Sequence, residues 1–284
     1  MAPHTLTNMA ISNEQGTMVL PVADSLEAVY AVPLQEYPGN PPTIVAWAVG
    51  ASRSPLRRDV ERAIEQLDLS VTVTAVGPAM FRSTVLGNRA AARRDREAAL
   101  SGTHAAIIRA LGQPGVPAHH HALGLSLAAD IARHFDAPIF DPVISELRTA
   151  DEAAAILDRY QRSTHIADWV NVVMTPAGAH LVVSTSGLER FGLPELQTHR
   201  VPPELARDWV PVTYAIGAAL LERFGLGVME RPAFLELGAE FQVGGVSVRL
   251  VPDISADPGA TSFLAVTAAA ESEDFYFRLA AAVR

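Results

Sequence analysis

NPPTIVAWAVG, residues 40–50, decides how the first half of the chain is divided. The stretch before it, Tyr37-Pro38-Gly39-Asn40-Pro41-Pro42, lacks backbone donors at its prolines and resists regular structure. Residues 43–49 then form an unbroken apolar run of strand length, which reads as a buried strand. Gly50 to Ser54 turns the chain toward a helix that starts near Pro55. On this reading residues 1–42 are an N-terminal arm with one short strand near residues 18–22.

Working outward, Leu56, Val60, Ala63, Ile64 and Leu67 recur at helical spacing, with Arg57, Arg58, Glu61 and Glu65 on the opposite side. Residues 69–76 alternate with β-branched side chains and residues 80–86 read as a hairpin partner. A helix over 89–100 and a strand over 103–111 follow. The resulting β-α-β-β-α-β order predicts a ferredoxin-like lobe over 43–160, extended by a long helix (117–135), a short strand (137–140) and a helix (150–160). Beyond residue 165 the pattern predicts a hairpin (169–174 and 180–184), a long helix (202–224), a meander (234–243, 246–251, 262–268) and a closing helix (275–283). The fold class is therefore α+β: an arm, a ferredoxin-like lobe, and a C-terminal lobe (165–284) of antiparallel strands with a long helix.

Composition narrows the chemistry. With 284 residues, 49% of them hydrophobic, the chain can bury a substantial core. It contains no cysteine, which excludes a disulfide framework, a thiolate nucleophile and any cysteine-ligated metal. It also contains no lysine, which excludes a Schiff-base cofactor, a P-loop and a Ser-Lys pair. The formal charge of −9 is dispersed and argues against nucleic acid and anionic membranes as partners. No apolar run is long enough to span a membrane and the first twenty residues carry no Lys or Arg, so the expected location is the cytoplasm.

His119-His120-His121 falls in the first turn of a predicted helix, where the positive end of the dipole favours neutral imidazole, able to accept a proton or a metal. Adjacent helical side chains point about 100° apart, so three in a row cannot all face one ion. His119 and His121, with Asp141 after the next strand, form the ligand set of a metal-assisted version, in which a divalent metal would be the cofactor. His104, at the start of the preceding strand, is a further candidate. Gly124-Leu125-Ser126-Leu127-Ala128 has the outline of a nucleophile elbow but lies inside a predicted helix instead of at a strand-to-helix turn. Trp47, Trp169 and Trp209 each sit in an apolar periodic run and read as core or pocket wall.

STSGLERFGLPEL, residues 184–196, combines two glycines, a proline and three charges in thirteen positions. A β-ladder cannot continue through it. Its Glu189, Arg190 and Glu195 then lie on a loop held by Leu188, Phe191, Leu193 and Leu196, where two carboxylates and a guanidinium form a candidate proton-transfer and anion-holding set. Thr185-Ser186-Gly187-Leu188, Phe191-Gly192 and Pro194-Glu195-Leu196, followed by a long helix, resemble the T-x-G-L-x-x-F-G-x-P-E-L pattern of an uncharacterised bacterial domain family over about residues 165–225. Gln197-Thr198-His199 departs from it. The resemblance implies a fold unit and no assigned activity.

Two functions fit these residues. One is a small-molecule enzyme using acid–base chemistry from His104, His119, His120, Glu189, Arg190 and Glu195 in a cleft between the lobes, with or without a divalent metal. The other is a non-catalytic binding or immunity-type protein that meets a protein partner through residues 187–196.

Overall fold

The structure is a computed structural model that describes residues 11–12, 17–19, 26–36, 39–77, 81–82, 93–112, 118–161, 164–224, 234–236, 240–252, 263–268 and 274–283. Most of the expected hairpin partner at 80–86 lies outside these residues. The fold class is α+β, as the sequence predicts. Residues 25–113 and 118–165 form one compact unit, and residues 166–284 with the first two strands form another. Those strands, β1 (Ile11–Ser12) and β2 (Thr17–Val19), pair antiparallel, and β2 also pairs with a later strand, Phe234–Glu236.

The decisive stretch is a helix, α1 (Pro41–Ala51), and not the strand its apolar run suggests. Asn40 is the N-cap: its side-chain oxygen accepts from the Thr43 N–H at 3.1 Å and from the Thr43 hydroxyl at 2.6 Å. Pro41 and Pro42 occupy first-turn positions, where a missing N–H costs nothing. The residues that block a strand therefore start a helix. Ile44 and Ala48, four apart, are buried, while Trp47 is 44% exposed and is not core.

The strand that residue 43 was expected to open lies earlier. It is β3 (Leu26–Leu34), inside the segment that reads as an arm. After it come α1, α2 (Arg57–Glu65), β4 (Leu69–Ala75), α3 (Arg93–Ser101), β5 (His104–Gly112), α4 (His119–Phe135), β6 (Ile139–Asp141), β7 (Glu146–Arg148) and α5 (Ala150–Tyr160). The sheet order is β4-β5-β3-β6-β7, with every pairing antiparallel and β3 in the centre. The layer thus starts at another strand and carries more elements than the β-α-β-β-α-β order expected from residue 43.

Period-2 alternation divides the sheet's faces. Ala28, Tyr30 and Val32 are fully buried on one side, where Gly124 of α4 lies against the Tyr30 ring and Ala110. Ala31, Ala105, Phe140 and Leu147 pack on the other side with Phe81 and Ala99. Helix α4 is buried along most of its length because α1, α2 and α5 surround it on its sheet.

In the second unit β8 (Asn171–Ala177), β9 (His180–Ser186), β10 (Glu195–Val201), β12 (Glu240–Val243), β13 (Val246–Pro252) and β14 (Phe263–Ala268) form a sheet ordered β12-β13-β14-β10-β9-β8, and Phe234–Glu236 is β11. Among the described residues only β10 and β14 pair in parallel. Strand β10 follows the two-glycine segment and was not foreseen; its ladder slips between Thr198 and Val201, where Arg200 has φ 57°. Helices α6 (Ala206–Phe224) and α7 (Phe275–Val283) complete the unit, with Trp169 and Trp209 buried as expected. Among the described residues no helix is long and apolar enough to cross a membrane.

Candidate functional site

The three consecutive histidines have three different environments. His119 is exposed, with Nδ1 3.2 Å from the Tyr160 hydroxyl and its ring stacked on that phenol. Burial first, and the negative charge of Asp59 second, push the Tyr160 hydroxyl up to about 12, so it stays protonated and able to donate. His120 and His121 are buried, with ring centroids 4.4 Å apart, and His121 Nδ1 lies 3.4 Å from the Tyr30 hydroxyl. A Cβ at residue 112 would stand 2.4 Å from the His120 ring, so any side chain there must displace that ring.

Strand β5 separates the first candidate from the others. His104 begins this strand and Gly112, against His120, ends it, so at ~3.3 Å per residue roughly 26 Å of strand lies between them. His104 therefore does not join His119 and His120. Its Nδ1 is instead 3.0 Å from the Thr103 hydroxyl.

Asp141 is fully buried on β6, where its Oδ1 accepts from the Val143 N–H at 3.2 Å and its Oδ2 faces Arg148 at 4.0 Å. Arg148 also binds Glu146 at 3.1 Å. Among the described residues no group of three or more His, Asp or Glu side chains is placed to hold a metal ion, so His119, His121 and Asp141 do not assemble the expected ligand set.

The segment at 184–196 is built as an internal brace. Gly187 (φ 120°) and Gly192 (φ 74°) flank a single 3-10 turn, Leu188–Phe191, after which the chain returns as β10. Glu195 closes this excursion. Its Oε1 accepts from the N–H groups of Gly187 (2.8 Å) and Glu189 (3.2 Å), and its Oε2 from the Thr185 hydroxyl (2.6 Å). Thr185 Oγ1 accepts in turn from the Leu196 N–H at 2.8 Å.

Burial raises the Glu195 carboxyl above its ordinary range, opposed by those three hydrogen bonds. Glu189 is raised by burial as well, with Arg190 pulling the other way. Every residue from 187 to 196 is buried except Glu189, which is half-buried. The positions that carry the family resemblance thus perform folding work: Thr185 and Glu195 lock the turn, the glycines permit it, and Leu188, Phe191 and Leu196 fill the core.

A site that the sequence reading passed over lies in the first unit. Helix α4, helix α5 and the 51–55 connection between α1 and α2 enclose a cavity of about 570 Å³. Its polar lining is Arg53, Ser54, Ser126, Asp130, Arg133 and Asp158, and its apolar lining includes Ala129, Ala154 and Leu157. The Ser126 hydroxyl donates to Ser54 Oγ at 2.8 Å, and the Leu56 N–H donates to the same oxygen at 3.2 Å. Burial pushes the Asp130 carboxyl above the ordinary range, opposed by a hydrogen bond from Ser52 and by the charges of Arg133 and Arg57. Arg133 lies 3.3 Å from Asp130 Oδ1 and also donates to the Ala150 carbonyl at 3.4 Å.

One signal could have revealed this wall. Ser126, Asp130 and Arg133 stand at i, i+4 and i+7 of a helix that is otherwise apolar from Ala122 to Ala132, a polar stripe on one face. Compared with protein-family models, with curated proteins and with solved structures, the chain matches none.

Proposed function

We propose that the chain is a small-molecule enzyme that works by acid–base chemistry in the α4–α5 cavity, with Asp130 as the proton carrier. One observation carries this reading: a carboxyl raised by burial stands on the wall of a small-molecule-sized cavity beside paired serine hydroxyls. A carboxyl held above its ordinary range keeps its proton closer to neutral pH and can transfer it to an oxygen or nitrogen of a bound molecule. Ser54 Oγ already accepts two hydrogen bonds, which leaves its own proton to donate into the cavity. Residues 187–196 are spent on internal bracing, which removes most of the surface that a protein-binding reading would use.

The test is a screen of small polar compounds for turnover, followed by Asp130→Asn in the responding reaction. The variant should keep its fold by circular dichroism and lose roughly a hundredfold or more of kcat. Undiminished turnover in a folded Asp130→Asn protein would overturn the assignment.

A further inference from the structure

We infer that the molecule accepted by this cavity is an anion, with a carboxylate or phosphate head against Arg53 and an uncharged, hydroxyl-bearing body toward Ser54. The inference rests on the reading of the cavity as a small-molecule site and adds the class of molecule. Four charged side chains line the cavity: Arg53, Asp130, Arg133 and Asp158. Three have partners within the protein. Arg133 is held by Asp130 at 3.3 Å, by Asp151 at 3.8 Å and by the Ala150 carbonyl, while Asp158 is engaged in interactions of its own.

Arg53 differs. It is exposed and, among the described residues, has no carboxylate partner, whereas Arg57 and Arg62 are paired with Glu61 and Asp59. It stands in the 51–55 connection that leads into α2. A guanidinium presents a planar fork of donors that matches the oxygens of a carboxylate or phosphate. The Ser54 hydroxyl, in the same connection, is placed to meet a neutral polar group of the same molecule. A cationic ligand would instead face an unneutralised Arg53, with Asp130 already beside Arg133.

Calorimetric titration of the full chain with inorganic phosphate, glycerol 3-phosphate, lactate and choline tests the assignment. At least one anion should bind, glycerol 3-phosphate against lactate separating phosphate from carboxylate heads. Arg53→Gln should weaken that anion roughly tenfold or more. Arg58→Gln, likewise exposed but outside the cavity lining, should leave it unchanged. Binding of no anion, whether or not choline binds, or equal losses in the two arginine variants, would overturn the inference. If Asp130→Asn stops turnover while Arg53→Gln changes neither binding nor rate, the anion assignment fails and the acid–base reading stands. If the Arg53 effect holds while Asp130→Asn turns over normally, the reverse is true.

Discussion

Asp130 of the first unit and Glu195 of the second are both carboxyl groups raised by burial, yet their surroundings differ in kind. Glu195 has a donor on each oxygen and two on one of them, all from the turn it closes, and no cavity adjoins it among those described. Asp130 is held by Ser52 and Arg133, and its remaining face looks into a cavity of about 570 Å³. Desolvation alone thus does not mark a functional acid. What separates the two is whether the hydrogen-bonding capacity is used up inside the fold or left facing a space that a molecule can enter.

The largest expected effect is on the brace. Glu195→Ala would leave two backbone N–H groups and the Thr185 hydroxyl buried without their acceptor, at ~1–3 kcal/mol each before relaxation, for a loss of about 4 kcal/mol in urea unfolding. A loss as small as that of an exposed residue would dissolve the contrast. An intermediate effect is expected for Gly112→Ala, where the new methyl must displace the buried His120 ring, at about 1–3 kcal/mol in the same experiment.

Glu195→Gln sharpens the comparison through pH. The folded Glu195 carboxyl binds its proton more tightly than the unfolded one, so the group weakens folding as pH rises from the unfolded carboxylate range through the raised folded value. The Gln variant should keep most of the hydrogen bonds and lose that downward slope, giving a flatter stability profile from acid toward neutral pH. A steeper slope would show that the hydrogen bonds outweigh desolvation. The smallest effect is expected from Asp130→Ala, which removes a desolvated carboxyl from a cavity wall and should change stability by less than about 1 kcal/mol. A cost comparable to that of Glu195→Ala would make Asp130 a structural group too.

Legibility from sequence was uneven for identifiable reasons. Helix α4, helix α5, strand β5 and the β8–β9 hairpin were readable because their periodicity is local and strong. The run at 43–49 was misread because a short apolar stretch fits a buried strand or a buried helix equally. Asn40 as cap and Pro41 at the first helical position held the deciding information. Strand β10, with Gln197, Thr198 and His199, was missed because a strand paired on both sides need not alternate cleanly. His104 and His119 were grouped because the strand that His104 opens comes directly before the helix that His119 opens, but an extended strand carries its ends far apart.

Composition settled which chemistries are closed to this chain, since a missing lysine or cysteine holds whatever the fold. Local pattern settled most of the helices and the α+β class, because capping and periodicity act over a few residues. Only the folded chain decided that Glu195 is a brace and that Ser54, Ser126 and Asp130 share a cavity wall. Burial and convergence depend on contacts between segments far apart in order: Ser54 meets Ser126 across 72 positions, and no local pattern encodes that distance.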